Sequence, residues 1–169
     1  MHGDPKPVGI TLRRARAGDA KAVSEIHEAC LRRLCAPDYT QEQIEAWIGP
    51  QVSHEMDHTM VERDGEIMFV AQCSSSIVGF AAIDGDEVSA LYVHPDHSQH
   101  GVGTCLLHTV EEYAASHGMA RLRVASSVTA SPFYTARGYR ALGESSRPLS
   151  DDIAIRCIEM EKDLPGPRS

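Results

Sequence analysis

The 169-residue sequence holds no apolar run long enough to cross a membrane; its longest are strand-sized, far below the roughly 20 residues a spanning helix needs. No apolar signal core follows the opening Met-His-Gly-Asp-Pro-Lys, which argues against secretion. Positive charge is also short. Lys and Arg number 16 against 24 Asp and Glu, a net charge of −8. That is the reverse of what a duplex nucleic-acid binder or a binder of anionic membranes needs. The five cysteines (Cys30, Cys35, Cys73, Cys105 and Cys157) are odd in number and form no C-x-x-C pair. They read as reduced, mostly buried thiols of a cytoplasmic protein. There is no internal repeat and no low-complexity segment. What remains is ordinary globular composition, 42% hydrophobic and 24% charged, in a chain long enough to bury a core without metal or disulfide. Residues 1–7 and 164–169 read as tails around a single domain spanning 8–163.

Residues 8–14 alternate as a strand. Asp19 is placed to cap a helix that begins at Ala20, in which Val23, Ile26, Cys30, Leu31 and Leu34 fall at helical spacing. Thr40 and Gln43 form a capping box for a second helix, TQEQIEAWIG, and Ser53 opens a third helical stretch with Met56 and Met60 on one face. Segments 66–73, 76–83 and 87–93 read as an antiparallel meander joined by short turns. A helix over 101–117 follows, then a strand over 121–126, a short helix over 131–137 closed by Gly138, and strands over 139–142 and 154–162 with an irregular link between. A meander followed by a strand–helix–strand crossover predicts an α/β (α+β) fold. Its sheet is mixed, mostly antiparallel and twisted, with helices on both faces.

The segment LYVHPDHSQHGVGTCLL (91–107) is the most informative. A strand ends at Val93, a polar loop follows, and Gly101 and Gly103 open a long helix. Free N–H groups and the positive end of the helix dipole converge there, which suits an anion, although glycines also open many helices for steric reasons alone. It is not a P-loop, because no Lys-Ser or Lys-Thr follows the second glycine. It is not a dinucleotide fingerprint either, because Leu106 stands where the third glycine belongs. His94, His97 and His100 with Asp96 could be read as metal ligands, but Pro95 and the loop spoil a helical ligand face, so no metal is expected.

This segment resembles the acetyl-CoA binding signature of the GCN5-related N-acetyltransferases (GNAT superfamily). ASSVTASPFYTARGY (125–139) resembles the family's second signature, F-Y-x-x-x-G-[FY], met here by Phe133, Tyr134, Gly138 and Tyr139. The two lie in the family's order, and the succession of elements over 8–162 is similar to the family fold. The first signature, [QR]-x-x-G-x-[GA], departs at its opening position, where Ser98 stands. Ser126 and Ser127 replace the asparagine often found near the end of the fifth strand.

The resemblance implies an N-acetyltransferase moving an acetyl group from acetyl-CoA to a primary amine of a small molecule, protein or peptide. It implies a CoA-binding set of Leu91, Tyr92, Val93, Ser98, Gln99, His100, Gly101, Val102, Gly103, Thr104, Ser127 and Phe133. A backbone N–H near Val93 would stabilise the oxyanion, and Tyr134 would protonate the leaving thiolate or else merely pack. Glu87 stands as general base or as a solvated turn carboxylate. Glu25, His27 and Glu28 would face the acceptor or be plain helix surface, and Tyr39 and Trp47 would form an apolar wall or, for Trp47 above all, pack the core. The acids Glu25, Glu28, Asp84, Asp86 and Glu87 predict an acceptor carrying net positive charge. Acetyl-CoA and an amine are the expected partners, without nucleic acid or membrane, and a homodimer is an assembly common in this fold. The other reading is a non-catalytic acyl-CoA-binding or sensor module on the same fold.

Overall fold

The computed structural model describes residues 9–49, 65–98 and 100–165. The helical stretch expected over 53–60, Gln99 and most of both tails lie outside the described residues. Seven strands form one sheet in the order β1-β2-β3-β4-β5-β7-β6. They are β1 (Ile10–Arg14), β2 (Glu66–Cys73), β3 (Ser76–Asp84), β4 (Glu87–Val93), β5 (Arg121–Ser127), β6 (Arg140–Pro148) and β7 (Ala154–Asp163). All neighbours are antiparallel except β4 and β5, which run parallel. The described helices are α1 (Ala20–Cys30), α2 (Gln41–Ile48), α3 (Val102–Ser116) and α4 (Ser131–Ala136), and α1 runs on into a π-helical turn, Leu31–Cys35.

Period-2 alternation decides which helix each strand residue meets. On β3, Ala81 and Ile83 join the cluster under α3 with Leu106, Leu107 and Val110. Phe80 and Ala82 on the opposite face join Val23 and Ile26 of α1. A third cluster places Leu31, Cys35 and Ile44 against Ile155 and Cys157 of β7. The sheet is therefore sandwiched, with α3 on one face and α1 and α2 on the other.

The Thr40–Gln43 capping box forms: Gln43 N–H donates to Thr40 Oγ1 at 3.1 Å, and Thr40 N–H to Gln43 Oε1 at 2.9 Å. Asp19 behaves otherwise than expected. It makes no cap to α1. Its carboxylate instead receives Arg13 through two bonds of 2.8 and 2.9 Å and the Arg16 N–H at 2.8 Å. The strong donors lie upstream, so the side chain turns back. The hydrogen bonds from Arg13 hold the Asp19 carboxyl below the usual carboxylate range, so its stabilising contribution is complete above about pH 4 and lost as pH falls through the lower folded value. Asp19→Ala is expected to cost about 2 kcal/mol at pH 7. In urea titrations the gap to wild type should narrow as pH drops below about 4; a gap independent of pH would assign the loss to packing.

The link expected to be irregular after 142 is strand. β6 runs to Pro148, held by its register with β7 from Arg140↔Glu161 to Pro148↔Ala154. Eight of its nine residues are exposed, so no alternation marks it in the sequence.

Candidate active site

The parallel pair β4–β5 is joined at only two positions, Glu87↔Arg123 and Val88↔Val124. The next residue explains why. Ala82 opposes Ala90 while Ile83 opposes Val88, so Ser89 is an extra residue in β4. A bulge bends its strand and increases its twist, and beyond it β4 leaves β5. The gap is a cleft of about 560 Å³ that opens between the two strands.

The opened edge of β4 carries unpaired backbone groups. His94 N–H donates to Val78 O at 2.8 Å, which fixes 78–94 as a bonded antiparallel pair. By alternation, 79–93 and 81–91 are non-bonded pairs, so the N–H and C=O groups of Leu91 and Val93 face the cleft. The Val93 carbonyl accepts the Cys30 Sγ–H at 2.9 Å. Burial pushes this thiol up to about 12.

On the α3 face the cleft meets the start of that helix. Gly101, at the N-cap, has φ +84°, a left-handed conformation that favours glycine. Helical bonding begins with Cys105 N–H to Gly101 O at 3.1 Å. The Val102, Gly103 and Thr104 amides therefore have no acceptor within the helix. Gly103 has a different reason to be glycine: a Cβ there would come within 3.3 Å of the Phe133 ring.

That ring carries a residue the sequence reading missed. The Arg137 guanidinium lies 3.9 Å from the Phe133 centroid, donates to Thr104 Oγ1 at 2.8 and 2.6 Å, and donates to Phe133 O at 3.0 Å. It fixes a full positive charge beside the free amides. Its position four residues after Phe133, on the same helical face, was the available signal.

Tyr134 is buried and held edge-on between Phe133 and Tyr139, with ring centroids 5.3 and 5.4 Å away. Its hydroxyl makes no hydrogen bond to another described residue, and the side chain lines the cleft. Burial raises its pKa above that of an ordinary phenol. Ser98, Ser127 and Thr104 also line the cleft. Ser98 Oγ donates to Pro95 O at 2.9 Å, and Ser127 Oγ accepts the Ala130 N–H at 3.0 Å.

Other expected residues are elsewhere. His100 is exposed and outside the lining, and the Val102 side chain is buried in the core, leaving only its backbone to the site. Glu87 sits before the bulge, where the strands are still paired, and its carboxylate accepts Arg147 Nη2 at 2.9 Å. Tyr39 is a strut: its hydroxyl donates to Arg156 O at 2.8 Å and accepts the Val128 N–H at 2.9 Å. Trp47 does line the cleft. His27 packs edge-on against Tyr92 at 4.9 Å, and burial lowers it to about 4, so it is neutral at pH 7. His94 Nδ1 accepts the Asp96 N–H at 3.1 Å, and Asp96 pairs with Arg33 at 3.0 Å.

Residues 35–164 match the family model described as the acetyltransferase (GNAT) domain. The chain belongs to the GNAT acetyltransferase family. A GCN5-related N-acetyltransferase from Rhodopseudomonas palustris, also described as a class-II aminotransferase, superposes with a TM-score of 0.86 at 30% identity. That match covers 96% of this chain and all of that one. PaiA N-acetyltransferase from Thermoplasma acidophilum, solved with coenzyme A, shares the fold with a TM-score of 0.75 at 22% identity, covering 92% of this chain and 99% of that one. Mycothiol acetyltransferase from Parafrankia sp. (strain EAN1pec) is 32% identical over 104 residues, which span 58% of this chain and 31% of that protein. The matched segment thus accounts for under a third of that curated relative. The GNAT sheet with its split β4–β5 pair is the fold the sequence motifs implied.

Proposed function

We propose that this GNAT protein transfers the acetyl group of acetyl-CoA to a primary amine. The observation that carries the reading is the cleft itself. Free amides and Arg137 stand at its α3 end, and a protonated phenol with no hydrogen bond to another described residue stands within it. The first suits a diphosphate. The second suits a departing thiolate. The coenzyme A held by PaiA supports CoA as the donor's carrier here.

The pantetheine arm would lie along β4, its amides meeting the N–H and C=O of Leu91. The carbonyl of the thioester would then face the Val93 N–H, which stabilises the oxyanion as the amine attacks. Collapse of the tetrahedral intermediate breaks the C–S bond, and Tyr134 supplies the proton that the sulfur takes up. The amine must arrive neutral, although its ordinary pKa is about 10.4. No carboxylate lines the cleft among the described residues, so that proton leaves through water.

Release of CoA thiol across a panel of amines tests the reading. CoA binding without turnover across that panel would instead favour an acyl-CoA sensor module. Arg137→Ala is expected to weaken acetyl-CoA binding by about tenfold to a hundredfold, the worth of a charge-assisted bond, and to flatten its salt dependence. Turnover of S-acetylpantetheine, which lacks the diphosphate, should change far less. An equal loss with both donors would reduce Arg137 to a prop for Phe133.

A further inference from the structure

The cleft passes through the sheet, and its α1 side differs in character from its α3 side. Arg137, on the α3 side, is the only charged side chain among the described residues that line it. On the α1 side the wall is Leu34, Trp47 and Tyr92 with the thiols Cys30 and Cys35. Leu34 is one of two large hydrophobic residues exposed among those described, at 40%. The π-helical turn buries Leu31 and Cys35 and leaves Leu34 on the cleft.

The acids that predicted a cationic acceptor do not reach this wall. Glu25 is exposed and 4.0 Å from Lys21. Glu28 pairs with Arg32 at 2.9 Å, Asp86 with Arg123 at 2.9 Å and Glu87 with Arg147 at 2.9 Å. Asp84 is exposed at the end of β3. Asp38, at the rim, accepts the Thr129 hydroxyl at 2.6 Å. Arg123 and Arg147 each cancel the field of their one carboxylate beyond a short distance; Arg32 is shared between Glu28 and Glu45, and neither of these two carboxylates lines the cleft. Neutral His27 behind Tyr92 adds no charge. Among the described residues that line the cleft a polycation therefore finds no carboxylate to offset its desolvation, whereas an apolar body covers Leu34 and stacks on Trp47 and Tyr92.

We infer that the acceptor is a small primary amine borne on an apolar, aromatic body, and that Leu34 and Trp47 select it. This rests on the acetyl-transfer reading. The reaction is the one already written, with the amine nitrogen gaining the acetyl group and CoA leaving as the thiol.

The test compares phenethylamine and tryptamine with putrescine, spermidine and glutamate as acceptors at saturating acetyl-CoA. The aryl amines are expected to exceed the polyamines and glutamate in kcat/KM by at least about tenfold, the worth of burying one apolar group. Leu34→Asp, an exposed change, should reverse much of that ratio. Trp47 is the only tryptophan in the chain, so phenethylamine should give a saturable change in its emission in the CoA-bound protein, and spermidine should give none. Turnover that favours a polyamine or glutamate, or a ratio indifferent to Leu34→Asp, would overturn the inference and leave acetyl transfer standing. Absence of CoA release with every amine would overturn both.

Discussion

Tyr134→Phe is expected to lower kcat by at least tenfold, within the roughly 10²–10⁴-fold range of general-acid assistance, with little change in CoA affinity. The substitution removes only the hydroxyl, and that hydroxyl holds no described residue in place. The ring keeps its contacts with Phe133 and Tyr139, so the thermal midpoint should stay close to wild type. The pH profile sharpens the test. Burial raises the phenol's pKa, so Tyr134 remains a competent acid past the ordinary phenol value of about 10. Wild-type kcat should therefore rise with pH as more amine is neutral, with no fall below about pH 10 traceable to this group. A Tyr134→Phe enzyme with wild-type kcat, under conditions where chemistry limits the rate, would leave the ring as packing only.

The second large effect concerns the start of α3. Gly101→Val forces a β-branched residue into a backbone with φ +84°, where an L-residue with a Cβ costs roughly 1–2 kcal/mol and a branched one more. The turn relaxes, the Val102–Thr104 amides lose their common aim, and the dissociation constant for CoA is expected to rise by at least about tenfold. Gly103→Val should weaken binding by another route, by displacing the Phe133 ring and with it Arg137. Calorimetry on folded variants checks both. Gly101→Asn separates the causes at the first position, because asparagine tolerates the left-handed region. Affinity recovered by Asn identifies backbone conformation as what Gly101 provides. Equal weakening by Asn and Val would identify the missing side chain itself. Wild-type affinity in Gly101→Val and Gly103→Val alike would remove the diphosphate from this turn.

Much of the fold was legible because its signals are local. The meander, the helix over 101–117 and the Thr40 box follow from alternation, periodicity and a three-residue spacing. β6 past Leu142 was not legible, since a strand exposed on both faces has no periodicity to read and takes its register from β7. The glycine turn that opens α3 and Tyr134 could be found in order along the chain. Arg137 could have been found by its spacing from Phe133. Glu87 could not be placed, because the bulge at Ser89 that decides where the cleft begins involves no glycine or proline and arises from pairing with β3. The acidic count alone does not give the field at the cleft, for a related reason. Arg123 and Arg147, the partners of Asp86 and Glu87, are 37 and 60 residues away in sequence, so compensation was invisible until the strands were aligned.

The Cys30 thiol and its bond to the Val93 carbonyl bear on the fate of a thioester bound as proposed. A thioester can exchange onto any nearby thiolate, and Cys30 and Cys35 both line the cleft. Only the ionised form attacks. Burial holds Cys30 at about 12, where roughly one molecule in 10⁵ is ionised at pH 7. Burial raises Cys35 as well. Under the proposed acetyl transfer, the apolar wall thereby also keeps these sulfurs unreactive, so an acyl group waiting for its amine would not be diverted to the protein's own side chains.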